Sequence, residues 1–342
     1  MIRTLLVIVL ASSLGLGWPS PGLAAAASNA VRSEADVLKM LNRLVDWSQP
    51  STRVIESSQA MAFEMVDATG TAITPAPESV ETIARIQAWR AKSAGDIARL
   101  RAEAAALQPA PPELLAAIRS LGPTGVRQAA GVSQVTQLAR SLSEDTARQV
   151  ELMTPLIVQA SQGDQQAKGQ LARRMVVGMR LMLEGENTML DLGIVLSGTP
   201  DHPQVDLNLA AKASNEALIE AMKYYERSAN GEAASETEAA SAMKSRLAAA
   251  REAARAVWPH ARSAAAVFAT IPKGDLRTRL ETAFATYRES SQVELDIADL
   301  LSGAATALET GDPLALDQPG VEALINRRVA LINQRKALFN TP

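Results

Sequence analysis

Along most of the chain, apolar residues recur every three or four positions, the period of a helix that buries one face. Between Glu78 and Leu107, the residues Ile83, Ile86, Ile97, Leu100 and Leu107 fall on one stripe, which predicts a long helix with a packing seam. No stretch alternates apolar and polar residues convincingly, so no strand is expected.

Caps and breakers bracket the other helices. Ser33 should open one that ends near Trp47 at Pro50, and a second should run from Ser51 to Thr69 and stop at Gly70. After breaks at 108–112 and 122–125, helix is expected from Val132 to Ser161, kinked at Pro155. Asp164 should cap a helix to Ser197 that is apolar nearly all round and therefore central and buried. Asp201 should cap the next, which runs to Asn230. The acidic stretch from Gly231 to Ser241 reads as a solvated loop or helix start. Helices should then run to Trp258, through Pro259 to Ile271, from Asp275 to Thr310 and from Asp317 to Phe339. The last should bury Val321, Leu324, Ile325, Leu331, Ile332, Leu338 and Phe339.

Three of these helices share a further pattern. Glu56 precedes Gln59, Glu184 precedes Asn187 and Glu289 precedes Gln292, each by three residues. Fourteen residues after each Glu comes a glycine behind a hydroxyl residue: Thr69-Gly70, Ser197-Gly198 and Ser302-Gly303. Repeats at long spacing suggest duplicated helical units. The expectation is an all-α chain, an elongated helical bundle or loose solenoid built on three related hairpins near 51–107, 164–230 and 275–340. In the third copy no proline follows Gly303 closely, so that helix is free to run on to Gly311.

The N-terminus departs from the helical period. Arg3 is followed by an apolar run from Leu5 to Leu16, then Pro19, Pro21 and the alanines from Ala24 to Ala27. These are the parts of a cleavable signal peptide over residues 1–26, with cleavage between Ala24 and Ala27. The run is shorter than the roughly 20 residues that span a bilayer, so no stable membrane insertion is expected after cleavage. The mature region, 27–342, is expected in the periplasm.

Composition narrows the chemistry. The chain has no cysteine, which excludes disulfides, lipid attachment at a signal-peptide thiol and thiolate metal sites. With 34 basic and 37 acidic residues and no basic block, nucleic acid is not expected as a partner. Aromatic residues are only 3%, and the good helix formers dominate, which agrees with the pattern. No phosphate loop, dinucleotide fingerprint or nucleophile elbow occurs. Ser241 and Lys244 match Ser-x-x-Lys, but the partner motifs of that enzyme class are absent. The arginines from Arg246 to Arg262 form a stripe that reads as a solvated face or as a contact for an acidic partner.

Two candidate sites remain. The first is the Glu/amide face: Glu56, Gln59, Glu184, Asn187, Asp191, Glu289, Gln292 and Asp296, oxygen-rich residues that could bind a polar ligand or a hard cation. The same pairs could instead fix the register of neighbouring helices. The second is Met175, Met179, Met182 and Met189, whose i, i+4, i+7, i+14 spacing puts four thioethers on one face, as Cu(I) would require and as a buried core would equally use. His202 and His260 are the only histidines and have no partner at metal-ligand spacing. His202 reads as an exposed loop residue. No cofactor is expected. The sequence favours a non-enzymatic envelope scaffold or adaptor that binds a protein partner, the alternative being a soluble periplasmic ligand- or metal-binding protein.

Overall fold

The structure is a computed structural model, and it describes residues 34–73, 80–197, 200–268, 273–311 and 318–339. The signal segment therefore lies outside the described residues, as does Gly198. The described residues are almost entirely helical and contain no strand. The helices are α1 (Glu34–Ile73), α2 (Val80–Ala106), α3 (Pro112–Arg119), α4 (Pro123–Ser161) and α5 (Gln165–Ser197). They continue as α6 (Pro203–Ala229), α7 (Glu236–Phe268), α8 (Asp275–Ala285), α9 (Tyr287–Thr310) and α10 (Gln318–Phe339).

Helices α1 and α2 pack on α4, and α5 packs between α4 and α6. From there α6 packs on α7, α7 on α9 and α9 on α10. The all-α bundle expected from the 3/4 periodicity is therefore present. The main core runs through both halves, joining Val54, Leu100 and Ile157 to Leu171, Leu218, Leu247 and Leu301. A second core closes one end, where Leu44, Ile118, Val132 and Leu196 meet Leu207, Val257 and Tyr287.

The break expected at Pro50 is absent: Pro50 lies inside a continuous α1, while Pro155 lies inside α4 and Pro259 inside α7, in helices expected to run through them. A proline removes one donor from the ladder and crowds one carbonyl. Around Pro50, the hydroxyls of Ser48 and Thr52 donate to Val45 O (3.0 Å) and Ser48 O (3.2 Å), and the buried Val54 and Ile55 hold the next turn against the core. Pro123, read as part of a break, opens α4 as its first residue, where its missing N–H costs nothing.

The glycine stop at Gly70 is also corrected, since it lies within α1, while Gly303 lies within α9, which runs on past it as expected. The left-handed stop of α9 is Gly311, at φ +69°. Helix α5 is not buried all round either. Leu171, Met175, Met179 and Leu183 face the core, but Leu181 and Val195 are 43% and 41% exposed. A helix packed between two neighbours leaves a third face to water.

The entry of α4 depends on a close approach to α3. A Cβ on Gly125 would lie 2.0 Å from Ile118 O and 2.9 Å from Leu121 Cβ. The backbone oxygen cannot rotate away, so Gly125→Ala should lower stability by about 1–3 kcal/mol. Gly169→Ala in α5, where nothing lies within 4 Å, should leave it unchanged or slightly raised. Urea melts of both variants check this.

Candidate functional site: a buried polar seam

The Glu/amide residues are dispersed. Glu56, Glu184 and Glu289 are exposed on α1, α5 and α9. Glu184 accepts from Arg180 (2.8 Å), which also reaches Glu226 on α6 (2.9 Å). Glu289 pairs with Arg327 on α10. Asp191 holds Lys212 of α6 (2.6 and 2.8 Å). Gln292 donates to Asp296 one turn on (2.8 Å), while Gln59 is buried in α1. The three Glu residues share no cavity. They lie on separate helices; Glu289 pairs across to α10, whereas Glu184 pairs with Arg180 on its own helix. Met175, Met179 and Met189 are buried in the main core, and Met182 packs against it. Among the described residues no group of three or more His, Asp or Glu is placed to hold a metal ion. No helix among them is long and apolar enough to cross a membrane.

What the structure does bring together is a polar seam inside the bundle, between α5, α6, α9 and α10. In α5, the stripe Met179, Leu183, Met189 and Leu190 is buried, and Glu186 sits within it at 4% exposure. In α10, Leu331 and Ile332 are buried, and Arg328 and Arg335 extend the same face one turn either side. In α9, Tyr287, Ser290 and Glu294 share the buried face with Ile297 and Leu301. In α6, Gln204, Asn208 and Asn215 do the same.

These groups are mostly satisfied by one another. Arg328 donates through Nε to Glu294 (2.7 Å), and a second guanidinium nitrogen reaches the other carboxylate oxygen, which makes a buried bidentate pair. Arg335 Nη1 donates to Ser290 Oγ (2.7 Å) and Thr286 Oγ1 (3.0 Å), and its guanidinium lies 5.0 Å over the Tyr287 ring. Among the described residues no carboxylate forms an ion pair with Arg335. Tyr287 Oη donates to Gln204 Oε1 (3.3 Å), and Gln204 Nε2 donates to Asn208 Oδ1 (2.9 Å). The chain of bonds ends there, because Asn208 Nδ2 is buried with no acceptor. Neither carboxylate oxygen of Glu186 has a well-aligned donor. The Asn215 amide donates to Asn187 Oδ1 (3.1 Å).

The electrostatics follow from burial. Desolvation pushes the Glu186 carboxyl well above the usual range, against the pull of Asn215 and Arg328. That favours its neutral form. Burial also raises the Tyr287 hydroxyl to about 12. It pulls the Arg335 guanidinium below its ordinary value, although a guanidinium stays charged in proteins.

At the end of the seam His202 is buried at 5% exposure, contrary to the exposed loop residue the sequence suggested. It also takes the capping role expected of Asp201: its Nδ1 accepts from Gln204 N (3.1 Å), with Pro203 as the first helical residue. Its proton is therefore on Nε2, which has no hydrogen-bond acceptor. The ring stands edge-on to Phe284 (5.7 Å) and Tyr287 (6.4 Å), so the aromatic environment partly compensates. Burial lowers its pKa to about 3. On α7, His260 Nδ1 lies 2.6 Å from Asp206 Oδ2 of α6.

A cavity of about 20 Å³ opens within the seam, walled by Gln204, Asn208, Ser290, Glu294, Arg328 and Arg335, with apolar side chains of all four helices completing it. A wider cleft of about 430 Å³ lies between α6 and the start of α7, but Arg180, Lys223 and Tyr224 along it are already paired with Glu226, Glu220 and Glu236.

No family model, no curated protein and no solved structure matches the chain.

Proposed function

We propose that the protein is exported to the bacterial envelope and works there, without covalent chemistry, as a helical binding protein whose site is the seam between α5, α6, α9 and α10. The observation that carries this is the juxtaposition of Asn208 Nδ2, a buried donor with no acceptor, with a cavity walled by two buried arginines. Unsatisfied buried polar groups are rare in native proteins, and a bound solute is one of the few things that accounts for them. Helix α10 forms one wall, held by Arg328 and Arg335 and by the buried Leu331 and Ile332.

The adaptor reading keeps one observation in its favour. Val195 and Leu209, one turn from the Asp191–Lys212 pair on α5 and α6, are 41% and 42% exposed. Two such residues form a small patch, whereas partner surfaces are larger.

A thermal-shift panel of small acids, amines, sugars and salts on the protein isolated from the envelope fraction tests the proposal. At least one solute should raise the unfolding midpoint by several degrees at about a hundred times its Kd. If no solute does so, the seam is a structural network and the proposal fails.

A further inference from the structure

The geometry points to a small inorganic anion of halide size as the solute, held in the seam between the Arg335 guanidinium and Asn208 Nδ2. This inference rests on the seam being a binding site, and it adds the chemical class of the occupant.

Three observations converge on it. First, Arg335 has no counter-charge among the described residues, and Asn208 Nδ2 has no acceptor. Arg335 is buried at 6% exposure and is held by two hydroxyls and an aromatic face, all neutral. Removing a cation from water without a counter-charge is costly, and such ions are normally paired. Asn208, at 2% exposure, has its Oδ1 turned to Gln204, which leaves Nδ2 as the free donor.

Second, the charges around the cavity do not cancel. Arg328 and Arg335 line it with one carboxylate, Glu294, which is already engaged by Arg328. Glu186 stands nearby, and its burial favours the neutral form. One monovalent anion balances the set.

Third, the size fits. A cavity of about 20 Å³ exceeds the roughly 10–15 Å³ that one water requires. It is too small for a phosphate or an organic acid unless α10 moves. The remaining wall is apolar, from Leu190, Leu207, Ala211, Val293, Leu331 and Ile332. Those side chains offer no competing acceptor and leave a weakly hydrated ion in contact with the guanidinium.

The test compares thermal unfolding in sodium chloride and in sodium gluconate at equal ionic strength and pH. The wild-type midpoint should be higher in chloride by about 2–4 °C, because gluconate is too large to enter. Asn208→Asp places a fixed carboxylate where the anion would sit. In that variant the difference between chloride and gluconate should vanish. Equal midpoints for the wild type in the two salts overturn the inference, and so does an Asn208→Asp variant that keeps the full chloride effect. If that variant does not fold, diffraction from wild-type crystals grown in bromide decides. An anomalous peak between Asn208 Nδ2 and Arg335 supports the anion, and none overturns it. The broader reading fails separately. If uncharged solutes stabilise the protein while chloride does not, the seam stays a binding site and only the anion is lost.

Discussion

Replacing Glu294 by Gln should cost about 3–5 kcal/mol of folding stability, the penalty for leaving one member of a buried ion pair unopposed. Glu294 is 4% exposed and Arg328 6%, so neither gains much from water. The bidentate geometry makes Glu294 a strong acceptor for Arg328. Gln keeps the shape but replaces an anion by a neutral amide, and the guanidinium remains a buried cation. The loss is a large fraction of the total stability of a typical domain, about 5–15 kcal/mol. The pair itself is not expected to be a large net source of stability, because desolvating two ions offsets most of their attraction. The double variant Glu294→Leu/Arg328→Met should therefore recover most of the loss. Equilibrium urea unfolding of both variants measures this. A double variant as unstable as Glu294→Gln would show that packing at these positions dominates over charge.

The second large effect is a loss of stability on acidification that is traceable to His202. Its pKa falls from 6.5 to about 3 on folding because burial disfavours the imidazolium. Above pH 6.5 the ring is neutral in both states and contributes no pH dependence. Below it the unfolded chain takes up a proton that the folded protein refuses, so stability falls as pH drops from 6.5 towards 3. Each unit of pH in that window removes about 1.4 kcal/mol, up to roughly 5 kcal/mol in all. Glu186 acts with the opposite sign. Its raised carboxyl favours folding at low pH, and that contribution declines as pH rises above 4.5. Comparison with His202→Asn separates the two, since Asn can still cap α6 but does not titrate. The variant should show a much flatter profile between pH 6.5 and 4.5. If its profile matches the wild type, His202 is not the group responsible.

How much of this was legible in the sequence depends on the kind of contact. Helix periodicity is local, and the all-α bundle follows from it, as does α9 running on to Gly311. The Asp164 cap is also local and is present, with Oδ1 accepting from Ala167 N at 3.0 Å. Pro50 is the exception: it sits in a helix long enough for tertiary packing to carry the missing bond. The seam was missed although its residues were in view. Glu186 completes the 3/4 stripe with Leu183, Met189 and Leu190. Arg328 and Arg335 fill the gaps in the stripe from Leu324 through Leu331 and Ile332 to Leu338. A charge at a core position of the period was the available signal. No local pattern, however, places Glu294 opposite Arg328. That pairing depends on how α9 meets α10, thirty-four residues along the chain. His202 was misread for a related reason: an Asp-His-Pro turn favours Asp as the cap by propensity, and the end core that buries the ring is assembled from distant helices.

The most direct measurement is of where a stabilising solute binds. Ala211→Leu fills the cavity from the α6 side, and Glu184→Gln alters the exposed Glu/amide face while leaving the seam intact. The solute-induced rise in unfolding midpoint should be lost in Ala211→Leu and retained in Glu184→Gln. Retention in the first variant with loss in the second would place binding on the exposed face and contradict the seam.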